Sequence, residues 1–356
     1  MKIFTFFIEP SSYTIDLIER VHKTEHIDFI FLYNDSHAKS ENGQEIVSLS
    51  QMPLFQQIKY VFRTFRKYDL IIFNGYDKWQ FMLLFFLNAM SPKKTVLAID
   101  SDTRYRKRTG LKGFLKKLYL RTIFTNRYVL GFPGGNYTHK DLFRNYGMKE
   151  ENIFLMPMMV NNEKFYRDVA IDEKPFTFLF VGRMIPLKQI EFLIHSFLRN
   201  FQNDTDVRLK IVGGGELFEP LKSKYGHHEN IEFTGPKYGS DLVKEYHSSN
   251  VLVLPSDREQ WGLVVNEAMA AGLPVIASDQ VGAIFDLILG QETGMVFSLE
   301  KENDLADKMK QIYEDRPLYK MLGNNAQELM KEHWNYNLYR SSLQKAVYRA
   351  KQLLRK

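Results

Sequence analysis

The strongest constraint on this chain is a repeated alternation: a short apolar run, a turn at Gly, Pro or Ser, then a helical segment. In the first half the apolar runs are KIFTFFI (2–8), IDFIFLY (27–33), YDLIIFNG (68–75), KTVLAID (94–100), RYVLGFP (127–133) and IFLMPM (153–158). Helical segments such as YTIDLIERVHK and FRNYGM lie between them. Runs this short and this apolar read as buried strands, and strands that alternate with helices predict a parallel, doubly wound sheet.

The alternation pauses at VNNEKFYRDVAIDEKPF (160–176), which is polar, carries Pro175 and has no sustained period. A second series follows: FTFLFVGR (176–183), VRLKIVGGG (207–215), NIEFTG (230–235), NVLVLPS (250–256), LPVIAS (273–278) and GMVFSL (294–299). The expected architecture is α/β, with two Rossmann-like domains whose parallel sheets face each other across a cleft. Ligands then belong at the carboxyl ends of the strands. The expected boundaries are a first domain over 1–160, a linker over 161–175 and a second domain over 176–333. A basic C-terminal helix over 334–356 is expected to return to the first domain.

Composition narrows the partners. The 356 residues, 44% hydrophobic and 25% charged, are ordinary for a globular chain and suffice for two domains. A formal charge of +6 favours an anionic partner and leaves phosphate-bearing metabolites, nucleic acid and an acidic membrane surface open. The absence of cysteine excludes disulfides and thiol chemistry. MKIFTFFIEP does not have the form of a secretory signal. FMLLFFLNAM (81–90) is about half the ~20 residues a spanning helix requires, so it reads as a buried helix. The expected location is cytoplasmic, with peripheral contact at the inner face of the cell membrane.

The second half carries the chemistry. In VGRMIPLKQIEFLI, Arg183 leaves a strand and Lys188 opens the next helix. Such cations can clamp a diphosphate, Arg through its fork and Lys as a point charge; a solvated loop with two surface cations is the plain alternative. IVGGGELFEPLK places glycines after a strand, which permits close backbone approach, but Phe218 stands where a dinucleotide fingerprint needs its third glycine. The most specific stretch is SDREQWGLVVNEAMAAGLPVIAS (256–278). It reads as a strand end, a loop over 257–262 and a helix closed by Gly272. The amides of Gly262, Leu263 and Val264 at the helix start can face a phosphate. Glu259 on the loop and Glu267 one turn into the helix offer two carboxylates, each suited to vicinal hydroxyls. Either glutamate alone is more often a solvated surface residue.

The spacing E-x7-E followed by AMAAGLPVIAS, with FVGR…K, IVGGGE and FTG upstream, resembles the retaining GT-B glycosyltransferases of the family 4 type (glycosyl transferases group 1). The resemblance covers 176–299, and NYGMKEENIFLMPMMVNNEKF matches the pattern that closes that family's first domain. It implies an acceptor-binding first domain and a donor-binding second domain. Glu259 would read the donor sugar, Glu267 the ribose, and Arg183 and Lys188 would hold the diphosphate. Gly182, Gly214 and Gly215 would let backbone approach the donor, and Pro236 and Lys237 would border the base. The implied reaction is front-face transfer of a sugar, with retention, from a UDP- or GDP-sugar. The acceptor is a glycan or lipid-linked molecule of cell-surface polysaccharide, lipopolysaccharide or glycolipid synthesis. No metal and no cofactor beyond the donor substrate is expected.

Three features depart from the family pattern. The first loop is IEPSSY instead of glycine-rich, leaving Glu9 as a candidate for sugar or acceptor contact. The fourth strand ends AIDSDTRYR where many members carry histidine, making Asp100 and Asp102 candidates for the same contacts. Gln189 follows the clamp lysine where glycine is usual. Asp100-Ser-Asp102 also mimics the metal motif of the unrelated GT-A fold, but it lies far in sequence from the donor elements.

RYRKRTGLKGFLKKLYLRTIFTNRY (104–128) is basic without one acidic residue and has an apolar side. It suits an anionic bilayer, while a solvated face and electrostatic binding of nucleic acid are the alternatives. Two other functions stay open on sequence alone: a nucleotide-sugar epimerase on the same scaffold, and a non-catalytic basic binding module.

Overall fold

The computed structural model describes residues 1–34, 47–107, 109–167 and 175–355. They form two compact units, one of Met1–Met158 with Tyr336–Lys356 and one of Met159–Asn335. Residues 168–174 of the expected linker lie outside the described residues, as does Arg108 of the basic stretch.

The first unit runs β1 (Ile3–Phe7), α1 (Ser12–Leu17), β2 (Asp28–Phe31), α2 (Leu54–Lys67), β3 (Leu70–Asn74), α3 (Trp79–Met90), β4 (Val96–Ser101), α4 (Gly110–Phe124), β5 (Val129–Pro133) and α5 (Lys140–Asn145). Its five strands are parallel in the order β2-β1-β3-β4-β5, so the order reverses at β1. Side-chain alternation along each strand separates two faces. Phe4, Phe6, Phe73 and Ile99 join Phe65 of α2, Phe81 of α3 and Phe124 of α4 in one core. Phe7 and Phe31 turn to the other face, against Ile18 beyond α1. Helices α2, α3 and α4 therefore cover one side, as right-handed crossovers require.

The second unit runs β6 (Phe176–Val181), α6 (Ile190–Phe201), β7 (Val207–Val212), α7 (Phe218–Tyr225), β8 (Ile231–Gly235), α8 (Gly239–His247), β9 (Val251–Leu254), α9 (Leu263–Ala270), β10 (Val275–Ser278), α10 (Ile284–Leu287), β11 (Gly294–Phe297), α11 (Asp304–Glu314) and α12 (Arg316–Glu328). Its parallel order is β11-β10-β9-β6-β7-β8, with the reversal between β6 and β9. The last helix, α13 (Tyr336–Arg355), belongs to the first unit. There Arg340 donates to the Arg20 carbonyl at 2.6 Å and Arg349 pairs with Glu151 at 2.5 Å.

Three local expectations are corrected. IFLMPM is not a regular strand. It runs beside β5, with Phe154 and Met156 donating to Gly131 and Pro133, but regular pairing is confined to the bridge at Ile153. Pro133 has no N–H to return, and Pro157 removes another donor. The helix containing 81–90 is only half-buried: Phe81 and Leu84 enter the core, while Met82, Phe86 and Met90 are exposed. The basic stretch is helical only over Gly110–Phe124, and residues 104–107 are irregular.

Candidate functional site

The loops that follow β6, β7, β8, β9 and β10 all leave the carboxyl end of the second sheet. They are laced together by backbone hydrogen bonds in the order of the strands. Gly213 donates to Gly235 at 3.0 Å, Met184 to Gly214 at 2.8 Å and Asp257 to Leu187 at 2.9 Å. Glu259 then donates to Gln280 at 3.3 Å, and Gly282 donates back to Glu259 at 3.1 Å.

Glycine makes this lacing possible at defined points. A Cβ on Gly213 would lie 1.9 Å from the Gly182 carbonyl oxygen, and one on Gly215 would lie 2.6 Å from that of Met184. A Cβ on Gly282 would lie 1.7 Å from the Gln260 oxygen. Gly214 differs: its Cβ would meet only the Pro236 ring, at 3.7 Å. Gly213 and Gly282 escape a reading of sequence because their need arises from loops distant in the chain.

After β6, Arg183 is exposed, and Lys188 ends a single 3₁₀ turn, Pro186–Lys188, instead of opening α6. Gln189, in the left-handed region at φ 52°, turns the chain into that helix. This backbone explains why glycine suits position 189. The Lys188 ammonium forms an ion pair with the Glu259 carboxylate, and both side chains are largely buried. The pair spans the reversal in strand order, the place where ligands of open α/β sheets bind.

Gly262, at φ 97°, caps the start of α9 and leaves Leu263 and Val264 partly accessible on its first turn. The preceding Trp261 is buried, stacks on Trp334 with ring centroids 5.4 Å apart, and donates from its indole to Asn266 at 2.8 Å. It thereby fixes the loop that carries Glu259. One turn into α9, Glu267 accepts from the hydroxyl of fully buried Tyr246 at 2.5 Å. Burial pushes the Glu267 carboxyl up to about 7, against the opposing pull of the Tyr246 hydrogen bond, although part of the residue stays accessible. Pro236 and Lys237 follow β8, the former exposed and the latter partly so.

Glu9, Asp100 and Asp102 belong to the carboxyl end of the first unit's sheet. Glu9 lies in the turn after β1 and is exposed. Asp100, on β4, accepts from the Asn74 amide of neighbouring β3 at 2.5 Å. Burial, then the charge of Asp102, pushes its carboxyl up to about 7, and the Asn74 bond opposes the shift. The phenol of buried Tyr339 on α13 is pushed up by burial and by the charge of Asp100. Asn74 and Tyr339 carry no motif, so sequence reading passes over them. Among the described residues, no group of three or more His, Asp or Glu side chains is placed to hold a metal ion.

Residues 161–329 match the family model of glycosyl transferases group 1. An uncharacterized glycosyltransferase of Methanocaldococcus jannaschii is 28% identical over 169 residues, 47% of this chain and 46% of that protein. D-inositol 3-phosphate glycosyltransferase of Corynebacterium aurimucosum is 26% identical over 207 residues, 52% of this chain and 49% of that one. The chain thus spans about half the length of the curated relatives it matches. In the solved structures, Anabaena Alr3699/HepE in complex with UDP superposes with a TM-score of 0.77 at 15% identity, over 98% of this chain and 100% of that one. WaaG, a glycosyltransferase involved in lipopolysaccharide biosynthesis, gives 0.63 at 15% identity, over 95% and 98%. The chain has the fold of the GT-B glycosyltransferases, and its second unit carries a glycosyl transferases group 1 domain.

Proposed function

We propose that this protein is a retaining glycosyltransferase that moves a sugar from a nucleotide-diphosphate donor to a glycan or lipid-linked acceptor. The observation that carries the reading is the pairing of Lys188 with Glu259, beside Gly262 at the start of α9, at the strand-order reversal of a glycosyl transferases group 1 domain. UDP in the matched Anabaena structure supports a nucleotide donor, and the involvement of WaaG in lipopolysaccharide biosynthesis supports a cell-surface glycan or lipid acceptor.

In this reading the β- and α-phosphates lie against Arg183, Lys188 and the amides of Gly262, Leu263 and Val264. Gly214 and Gly215 admit the donor to the backbone, and Gly182 lets the β6 loop turn beneath it. Pro236 and Lys237 border the base, Glu267 accepts from the ribose hydroxyls, and Glu259 accepts from hydroxyls of the sugar. The departing diphosphate gathers negative charge as the glycosidic bond breaks, and fixed cations and amides stabilise that charge most in the transition state. The acceptor hydroxyl attacks from the face the diphosphate leaves, and its proton passes to a diphosphate oxygen. No metal or cofactor takes part. In the first unit, Asp100, Asp102 and Glu9 are assigned to acceptor or sugar contact. The basic segment 104–128 is assigned to peripheral contact with an anionic membrane at its cytoplasmic face.

The test is product analysis with a panel of nucleotide-sugars and membrane-extracted acceptors, reading the anomeric configuration of the new bond by NMR. Retention supports the reading and inversion contradicts it. Conversion of the donor sugar without any acceptor would assign the site to an epimerase.

A further inference from the structure

The outward side of the three helices that cover one face of the first sheet is apolar. On α2, Leu54, Phe55, Ile58 and Phe62 recur at helical spacing and are exposed, while Val61 and Phe65 face the core. On α3, which carries no charged residue, Trp79, Met82, Phe86 and Met90 form the exposed stripe opposite Phe81 and Leu84. On α4, Leu111, Phe114, Leu115 and Leu118 do the same opposite Ile123 and Phe124. The exposures are large: 74% for Phe55, 71% for Met90 and 73% for Leu111. The three stripes are neighbours, since α2 packs on α3 and the Tyr119 hydroxyl of α4 meets the Met82 sulfur of α3 at 2.9 Å. Apolar surface this extensive marks a docking site.

We propose that α2, α3 and α4 together form one docking face for an anionic lipid bilayer, with the uncharged stripe of α3 seated between two basic helices. The inference rests on the membrane contact assigned above to 104–128 and enlarges it from one basic segment to a three-helix surface that needs apolar insertion and charge together. Charge chooses the occupant. Helix α2 carries Lys59, Arg63 and Arg66, α4 carries Lys112, Lys116, Lys117 and Arg121, and none of the three helices has an acidic residue. A second copy of the chain would lay these cations against their own kind. A nucleic acid would leave Leu, Ile and Met stripes against charged phosphates. A bilayer with anionic headgroups satisfies both parts: long basic side chains reach the phosphates while Phe, Leu, Met and Trp enter the acyl boundary.

The experiment is flotation of the full chain with vesicles of phosphatidylcholine containing phosphatidylglycerol, against vesicles of phosphatidylcholine alone. The expected result is flotation with the anionic vesicles only, lost both in Phe86→Ser/Phe114→Ser and in Lys112→Glu/Lys116→Glu. All four side chains lie outside the core, and a thermal shift with UDP on each preparation verifies that the donor unit is intact. Variants that float like the parent, or a parent that floats with neither vesicle or equally with both, would overturn the proposal. So would a dimer, measured by light scattering, that Phe86→Ser/Phe114→Ser dissociates, because a second copy would then occupy the face. A parent that floats as expected yet gives no shift with UDP would sink the transferase reading and leave the docking face standing.

Discussion

Lys188 and Glu259, 71 residues apart in sequence, form an ion pair between the loops that follow β6 and β9. The pair bridges the two strands at which the second sheet reverses its order. It joins the residue assigned to the donor diphosphate with the residue assigned to the donor sugar. Each therefore sets the position and the electrostatics of the other.

The pairing separates their roles. Glu259→Gln removes the carboxylate that competes with phosphate for Lys188, so UDP should bind as tightly as to the parent or more tightly. Sugar transfer should fall by about 10²-fold or more, the scale of losing one transition-state contact. Lys188→Ala should weaken UDP itself by about tenfold, since a charge-assisted contact is lost. Calorimetry with UDP and a transfer assay read the two effects. Weaker UDP binding in Glu259→Gln would contradict the assignment.

Glu267 gives a pH signature. Its carboxyl is raised from 4.5 to about 7 by burial, so between those values the folded chain keeps a proton that the unfolded chain has released. Its contribution to stability falls as pH rises through that window, and the penalty of burying the ionised group is complete above about 7. Glu267→Gln removes this dependence. The melting temperature of the variant relative to the parent should rise from acid to neutral pH, then level off. A difference that stays flat between pH 4.5 and 7 would contradict the burial argument.

The neighbouring glycines should respond in opposite ways. Gly213→Ala drives a Cβ to 1.9 Å from the Gly182 oxygen in a backbone at φ 141°, and should destabilise the protein by about 3 kcal/mol or prevent folding. Gly214→Ala meets only the Pro236 ring, at 3.7 Å, so its melting temperature should stay near the parent's. Its UDP affinity should fall, because the added methyl stands where the donor backbone contact is assigned. Thermal unfolding of both variants, with and without UDP, checks the contrast.

Gln189 offers a stabilising change. Its left-handed backbone, at φ 52° and ψ 40°, costs a side chain about 1 kcal/mol that glycine does not incur. Gln189→Gly should raise the melting temperature by ~2 °C, partly offset by the freedom glycine adds to the unfolded chain. A fall in melting temperature would show that the Gln189 bond to the Pro186 carbonyl, at 3.3 Å, matters more than the backbone.

The strand and helix series was legible because apolar runs and turn residues are local signals. KIFTFFI became β1 and VRLKIVGGG became β7 with the glycine turn at its end. The placement of Glu259 on a loop and Glu267 inside a short helix could also be read directly. Contact between segments distant in the chain leaves no such local signal. Lys188 meets Glu259, Asn74 meets Asp100, and Gly213 instead of Gly214 is the glycine that packing demands. The outward stripe of α3 escapes sequence reading for a related reason. Seven apolar residues in a row, Phe81 to Leu87, look buried, and only the fold shows which side of the helix the other described residues leave open.

Calorimetric titration of the parent, Arg183→Ala and Glu267→Ala with UDP-, GDP- and ADP-sugars tests the central claim most directly. Arg183 is exposed, so its loss should leave the fold intact. Saturable binding of one nucleotide-sugar by the parent is expected, with affinity reduced about tenfold or more in each variant. Absence of binding to every donor, or equal affinity in parent and both variants, would contradict it.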